Sequence, residues 1–159
     1  MGISKRLKTI AEMVTPGYRA ADIGTDHGYV PICLLRNGSS PYVIAADLSP
    51  GSLEKAKEKS IRYGLQEQMD CRLSDGLSEI SPGETDAIII SGMGGILMDR
   101  ILRNGIDVVR ASKELILSPH RDVPLIKAFA EEFGFEITDE VELEEKGKKY
   151  TILKIRICP

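Results

Sequence analysis

Apolar residues recur along the chain with two different periods. Near the amino terminus Ile3, Leu7, Ile10 and Val14 are three or four residues apart, which predicts an amphipathic helix that ends before Pro16. Short strand-like runs follow at 19–23, 42–46, 70–73, 87–91 and 115–118. Segments with helical spacing separate these runs, at 27–36, 51–63, 96–103 and 123–133.

Strands that alternate with helices form parallel sheets, because each helix crosses back over the sheet before the next strand begins. The runs therefore predict an α/β fold with a Rossmann-like sheet of five parallel strands and helices on both faces. Two extended runs at 135–143 and 150–157, joined by a polar turn at 144–149, are typical of a closing antiparallel hairpin. The hairpin would complete a seven-stranded sheet, and residues 1–159 are predicted to form one domain.

Composition narrows the class of protein further. The chain has 159 residues, of which 42% are hydrophobic and 28% charged, as in ordinary globular domains. A net charge of −3 argues against a surface that is basic all over, while a local basic face would still allow RNA binding.

The spacing of the cysteines and the composition of residues 1–14 indicate where in the cell the protein is located. Cys33, Cys71 and Cys158 form no Cys-x-x-Cys pair, so reduced thiols are predicted rather than disulfides or a zinc site, and no metal is expected. Residues 1–14 carry charges throughout, so neither a signal peptide nor a membrane span is predicted. We therefore expect a cytoplasmic protein with no membrane partner.

The candidate chemistry lies just after the predicted strands. In open parallel sheets ligands bind outside the carboxyl ends of the strands, where the strand order reverses. The residues at these positions are Asp22, Thr25, Asp26 and His27 after the first strand, Asp47 after the second, Asp75 and Gly76 after the third, and Ser91, Gly92, Met93 and Gly94 after the fourth.

The turn after the first strand is built for a ligand. Gly24 and Gly28 allow close approach of the backbone, and a helix that begins near His27 would offer free amide donors. The spacing Asp-x-Gly-x-x-x-Gly is not the dinucleotide fingerprint, and it resembles the first motif of S-adenosylmethionine-dependent methyltransferases. Asp47 follows Gly24 by 23 residues, close to the offset of about 20 at which an acidic side chain binds ribose. Asp75 could accept hydrogens from an adenine amino group.

Motifs across nearly the whole chain resemble those of the bacterial tRNA adenine-22 N1-methyltransferases. They are Ser4-Lys5-Arg6-Leu7, Asp22-Ile23-Gly24-Thr25-Asp26-His27-Gly28-Tyr29-Val30-Pro31, Asp75-Gly76-Leu77, Gly92-Met93-Gly94-Gly95 and the tail segment from Glu144-Glu145 to Tyr150. The resemblance implies a class I methyltransferase domain, S-adenosylmethionine as cofactor, tRNA as substrate and a monomer. Asp26 is the candidate catalytic residue. The candidate cofactor-binding residues are Arg6, Asp22, Gly24, Thr25, His27, Gly28, Asp47, Leu48, Asp75, Gly76, Ser91, Gly92, Met93 and Gly94.

The chain departs from the family pattern in three places. Members of the family continue into a helical carboxy-terminal region implicated in holding tRNA, and this chain, which ends at Pro159, is expected to lack it. The segment Ser118-Pro119-His120 stands where the family commonly has Gln-Pro-Asn, which bears on contacts to the target base. Gly28 replaces a usual alanine, a change expected to have little effect.

The implied chemistry needs positioning more than a base, because adenine N1 already carries a lone pair. The target nucleotide must leave its stack to expose N1. Asp26 is expected to accept a hydrogen bond from the adenine N6 amino group, which becomes more acidic as the ring gains positive charge.

Several of these residues have a structural alternative. Asp22 could cap the turn amides instead of meeting the amino acid end of the cofactor, and His27 could be a helix-start residue rather than a proton carrier. Asp47 could serve only the turn into the next helix, and Met93 could be core filler. The function itself has alternatives: methylation of a small molecule or another RNA, or a cofactor-binding module without turnover.

Basic residues divide into three groups. Lys55, Lys57, Lys59 and Arg62 share a predicted helix with Glu54 and Glu58, which predicts a solvated surface. A second group, expected to border the active site and meet phosphates, comprises Lys5, Arg6, Lys8 and Arg121. The third group, Lys146, Lys148 and Lys149, could serve the same purpose or keep a sheet edge soluble.

Overall fold

The structure is a computed structural model that describes residues 3–158. Its helices are α1 (Lys5–Met13), α2 (Tyr29–Arg36), α3 (Pro50–Arg62), α4 (Gly95–Asn104), α5 (Ile106–Arg110) and α6 (Val123–Phe133). Its strands are β1 (Ala20–Ile23), β2 (Val43–Asp47), β3 (Met69–Leu73), β4 (Ala87–Ser91), β5 (Glu114–Ser118), β6 (Glu136–Glu145) and β7 (Lys148–Arg156).

All seven strands join in one sheet, in the order β3-β2-β1-β4-β5-β7-β6. Strands β1 to β5 are parallel, β7 runs antiparallel to β5, and β6 runs antiparallel to β7. The predicted sheet of five parallel strands with a closing antiparallel hairpin is confirmed. The strand order reverses between β1 and β4, which places the ligand crevice of such folds at the carboxyl ends of these two strands.

Alternate residues of each strand pack on opposite faces of the sheet. Ala21 and Ile23 of β1 belong to the core under α4 and α6, whereas Ala20 belongs to the core under α1 and α2. Asp22 follows Ala20 by two residues and shares its face. The strand period therefore points this carboxylate toward α1 and α2 rather than toward α4.

Helix α1 is tied to the rest of the domain at both of its ends. Ser4 caps it by accepting a hydrogen bond from the Leu7 amide at 3.2 Å, and the Arg6 amide donates to Glu145 Oε1 at 3.3 Å. Beyond its other end, Thr15 donates its amide and its hydroxyl to the buried Glu114 carboxylate, at 2.9 and 2.6 Å. These contacts hold the first turn of α1 beside the hairpin and over the end of β1.

The structure differs from the sequence prediction at the hairpin turn, at α5 and at the start of α2. The predicted polar turn at 144–149 is wrong, because the strands continue to Glu145 and resume at Lys148, which leaves a turn of Lys146 and Gly147, both with positive φ. The short helix α5 carried too few residues to show a period and was not predicted. Helix α2 begins at Tyr29, so His27 lies in the preceding turn rather than at the helix start. Among the helices of residues 3–158, none is long and apolar enough to span a membrane.

Candidate active site

The β1–α2 turn folds back sharply at the end of β1. Gly24, Asp26 and Gly28 all have left-handed backbone conformations, with φ of 73°, 57° and 77°. The amides of Gly24 and Thr25 both donate to the Ala46 carbonyl at 2.9 Å, which anchors the turn to the end of β2. Left-handed φ at a residue that is not glycine is unusual, and such strain is concentrated at functional sites.

Asp22 is a buried carboxylate at the floor of this turn, with 3% of its surface exposed. Its Oδ2 accepts the Thr25 hydroxyl at 2.9 Å. Burial raises the pKa of Asp22 from 3.8 to about 7; the Thr25 hydrogen bond opposes this rise, and the negative charges of Asp47 and Asp26 add to it. Within residues 3–158 no turn amide donates to Asp22, so the alternative that it caps the turn is wrong.

Asp47 joins two loops at the carboxyl edge of the sheet. Its Oδ2 accepts the Asp26 amide and its Oδ1 accepts the Ser49 amide, both at 2.9 Å. Asp47 therefore does serve the turn into the next helix, α3, which was its structural alternative. Each carboxylate oxygen has a second lone pair, so both can still accept a hydrogen from a ligand.

A cavity of about 170 Å³ opens between α1, α2 and the ends of β1 and β4. It is lined by Arg6, Leu7, Asp22, Gly24, Thr25, Asp26, Tyr29, Val30, Ser91 and Gly92. The predicted residues among these lie up to about 85 positions apart in the chain and meet because β1 and β4 are neighbours. Leu7, Tyr29 and Val30 were not among the predicted site residues. The sequence could have indicated them only through their position, in the first turns of α1 and α2, the two helices that border the end of β1.

Arg6 brings a positive charge into this cavity. Its guanidinium lies 4.9 Å from the centre of the Tyr150 ring. Its Nε and Nη1 atoms are buried, and within residues 3–158 they have no hydrogen-bond partner. Buried guanidinium donors without an acceptor are unfavourable, so these atoms mark a place where an anionic ligand group would bind.

The glycine-rich turn after β4 completes the mouth of the cavity. Gly92 has φ of 81°, and a side chain there would meet no atom within 4 Å, so its surface is open. A Cβ on Gly24 would come within 3.2 Å of Met93 Cε, which shows that the two turns are in contact. Met93 also packs on the core under α4, so both of its predicted roles fit its position.

Two backbone hydrogen bonds fasten the β4–α4 turn to the β5–α6 loop. The His120 amide donates to the Met93 carbonyl at 2.9 Å, and the Gly95 amide donates to the Arg121 carbonyl at 2.9 Å. A Cβ on Gly95 would lie 2.6 Å from the Asp122 carbonyl oxygen, so only glycine allows this approach. The loop that departs from the family pattern thus borders the mouth.

Asp75 and Gly76 lie apart from the 170 Å³ cavity. They line a larger groove of about 540 Å³, together with Leu97 and Ile101 of α4. Leu48, after β2, is 65% exposed. The predicted ribose and adenine residues are therefore spread along the carboxyl edge of the sheet, outside the cavity that holds Arg6 and Asp22.

His27 and Gly28 serve the packing of the turn. The His27 carbonyl accepts the Lys59 ammonium at 3.0 Å, and that ammonium lies 4.3 Å from the centre of the Tyr29 ring. Lys59 is thus a structural contact, and the prediction that it is merely solvated is wrong. A Cβ on Gly28 would lie 2.8 Å from Ala56 Cβ, so in this chain glycine leaves room for the close approach of α3.

No group of three or more metal-ligating side chains occurs in the described part of the chain, 3–158. The arrangement instead offers opposite charges in one enclosed cavity, Arg6 against Asp22, with further acidic side chains along the same edge. Such a site suits a ligand that carries both an anionic and a cationic group.

Comparison with known proteins agrees with this architecture. The family described as "Methyltransferase domain" matches residues 3–153. The tRNA (adenine(22)-N(1))-methyltransferase of Bacillus subtilis is 39% identical over 151 residues, which cover 95% of this chain and 63% of that protein. The chain thus spans less than two thirds of that relative's length.

Two solved structures superpose closely. The crystal structure of the B. subtilis m1A22 tRNA methyltransferase has a TM-score of 0.93 at 37% identity, covering 99% of this chain and 67% of that one. Streptococcus pneumoniae Sp1610 in complex with S-adenosyl-L-methionine has a TM-score of 0.94 at 35% identity, covering 98% and 73%. Given its fold, its carboxyl-edge site and the family match over residues 3–153, this chain belongs to the methyltransferase-domain family.

Proposed function

We propose that this protein transfers the methyl group of S-adenosylmethionine to N1 of an adenine in tRNA. In this proposal residues 1–159 form one cofactor-binding domain that acts as a cytoplasmic monomer without a metal ion. Asp26 is its catalytic residue. The similarity to the tRNA (adenine(22)-N(1))-methyltransferase of B. subtilis, in sequence and in structure, supports the choice of tRNA and of adenine N1.

The observation that carries the proposal is the pairing of Arg6 with Asp22 in one cavity. Within residues 3–158 the buried guanidinium donors of Arg6 have no acceptor. The hydrogen bond from Thr25 compensates only part of the cost of burying the Asp22 carboxylate. The amino acid end of S-adenosylmethionine supplies both missing partners, a carboxylate for Arg6 and an ammonium group for Asp22. Each of these two contacts would be a charge-assisted hydrogen bond when the ligand is bound.

The adenosine end has its candidates along the same edge. Asp47 keeps lone pairs free for the ribose hydroxyls, and Asp75 is exposed beside Gly76 to accept an adenine amino hydrogen. The exposed side chain of Leu48 offers an apolar surface for the ring. Carboxylates at each of these points would repel a pyrophosphate, which favours a ligand without phosphates.

The transfer step needs alignment of three atoms. A bond forms between adenine N1 and the methyl carbon as the bond from carbon to sulfur breaks; the sulfonium becomes a neutral thioether and the positive charge passes to the adenine ring. Asp26 lies at the rim of the cavity with 74% of its side chain exposed, and its backbone is held by Asp47. Its carboxylate would accept the N6 hydrogen and stabilise the charge that develops on the ring.

The direct test is transfer of labelled methyl from S-adenosylmethionine to bulk bacterial tRNA, followed by digestion to nucleosides. Label in 1-methyladenosine is the expected result. Label in another nucleoside, or none in tRNA while the protein still binds S-adenosylhomocysteine, would refute the assignment and favour another acceptor or a binding module.

The role of Asp26 has its own variant. Asp26→Asn keeps the size of the side chain, and asparagine, like aspartate, tolerates left-handed φ. We expect the methyl-transfer rate to fall about 100-fold, the effect of losing one preorganised transition-state contact, with cofactor affinity within about twofold of wild type. Glu131→Gln, exposed near the carboxy-terminal end of α6, removes the same negative charge away from the site and is the charge-matched control. A wild-type rate in Asp26→Asn would show that this carboxylate has no part in the transfer.

A further inference from the structure

Two aromatic side chains stand at the mouth of the cavity on the side away from Asp47. His120, in the β5–α6 loop, is exposed, and its ring meets the Tyr150 ring of β7 edge-on, with centres 6.0 Å apart and planes at 66°. Tyr150 in turn carries the Arg6 guanidinium at 4.9 Å from its ring centre. A continuous line of contacts therefore runs from the cavity through Arg6 and Tyr150 to His120.

The backbone of His120 is fixed independently of its ring. The His120 amide donates to the Met93 carbonyl, which places the residue directly beside the glycine-rich turn at Gly92. The imidazole is not used in any hydrogen bond within residues 3–158. A residue whose backbone holds the loop and whose ring is left exposed at the mouth is available to a second substrate.

Positive charges surround this ring. Arg6, Lys148 and Arg121 lie close enough to His120 that, after its partial burial, their charges lower the pKa of the imidazole. Within residues 3–158 no acidic side chain lies within 4.0 Å of the charged atoms of these three residues. The lowered pKa favours the uncharged imidazole, and the cations that flank the ring can meet phosphates.

We propose that the imidazole of His120, held edge-on against the Tyr150 ring, is the shelf on which the acceptor base of the RNA stacks while its N1 faces the methyl group. The proposal rests on the proposed function. An extruded base needs an aromatic or apolar partner to replace the stacking that it loses, and uncharged imidazole supplies this without repelling the positive ring that N1 methylation creates. Lys148 and Arg121 hold the backbone phosphates on either side of the base.

The test compares His120→Ala with His120→Phe, at saturating S-adenosylmethionine and varied tRNA. Loss of one base-aromatic stack corresponds to about 10- to 100-fold, so kcat/KM for tRNA should fall by that factor in His120→Ala. His120→Phe restores a ring and should recover most of the loss. Affinity for S-adenosylhomocysteine should stay within about twofold of wild type in both variants, because the loop is held by the backbone.

The possible results separate the two proposals. Wild-type kcat/KM in His120→Ala, or a His120→Phe variant no better than His120→Ala, would overturn the shelf while the methyltransferase assignment stands. Absence of methyl transfer to tRNA by the wild-type protein would overturn both.

Discussion

Asp22→Asn should stabilise the protein without cofactor while it weakens cofactor binding. Asp22 is 3% exposed, and its pKa is raised to about 7 chiefly by burial, with further contributions from the charges of Asp47 and Asp26. The folded state therefore opposes ionisation of this carboxyl group. Asparagine has nearly the same shape, and its side-chain oxygen can still accept the Thr25 hydroxyl, but it carries no charge to bury.

The magnitude follows from the linkage between proton binding and folding. Because the folded pKa of Asp22 lies above the ordinary value of 3.8, the folded protein binds more protons than the unfolded chain between pH 3.8 and about 7. Its contribution to the free energy of unfolding therefore falls as the pH rises through this interval and stays low above it. At about 1.4 kcal/mol for each pH unit, the whole interval corresponds to about 4 kcal/mol.

The assay is urea unfolding of wild type and Asp22→Asn, without cofactor, at several pH values from about 5 to 8. The variant has no carboxyl group to titrate at this position, so the difference in unfolding free energy isolates Asp22 from every other ionisable group. We expect the variant's advantage to grow by about 3 kcal/mol between pH 5 and pH 8. An advantage that is the same at both pH values would refute the argument that burial holds this carboxyl protonated.

The affinity for the cofactor should depend on pH in the opposite direction and rise as Asp22 ionises. If Asp22 binds the ammonium group, the ionised form is the competent one, and the wild-type affinity for S-adenosylhomocysteine should rise by up to about tenfold per pH unit below about 7. In Asp22→Asn the affinity should be lower and should lose this dependence. Isothermal titration calorimetry at the same pH values measures both effects.

Two further predictions concern other parts of the site. Arg6→Met should lower affinity for S-adenosylhomocysteine at least about 30-fold in calorimetry, because it removes the charged donors for the ligand carboxylate, whereas Lys8→Met on the same helix should bind normally. Gly28→Ala should lower the free energy of unfolding by about 1–3 kcal/mol, because φ is 77° and the new Cβ meets Ala56 at 2.8 Å. Adding Ala56→Gly should recover part of that loss in urea unfolding, and full additivity of the two changes would contradict the contact.

The sequence predicted the elements well where local chemistry is strong. Strands β2, β4 and β5 are largely apolar runs because they are buried on both faces, and turn residues bound them, so the order of strands and helices was visible. The hairpin turn was mispredicted because Glu144 and Lys149 are polar, and exposed edge strands contain the same polar residues as turns. Helix α5, at five residues, is too short for a period to be recognised.

The residues of the candidate site also divide into those that the sequence could indicate and those that it could not. Asp22, Asp26 and Asp47 could be named because they follow strands at spacings that the fold class constrains. Tyr29 and the contact of Arg6 with Tyr150 could not, because they depend on how α1, α2 and the hairpin pack against the sheet. The departure at His120 was visible in the sequence, whereas its contact with Tyr150 was not.

The sequence by itself determined the fold class, the edge of the sheet that binds ligands and the residue types gathered there, because periodicity and strand-end position are local properties. Only the tertiary structure decided which of those residues share a cavity and that burial raises the pKa of Asp22 to about 7. It also decided that, within residues 3–158, buried guanidinium atoms of Arg6 have no acceptor. Burial and pairing depend on residues distant in the chain, so they arise only when α1, the hairpin and the strand ends are packed together.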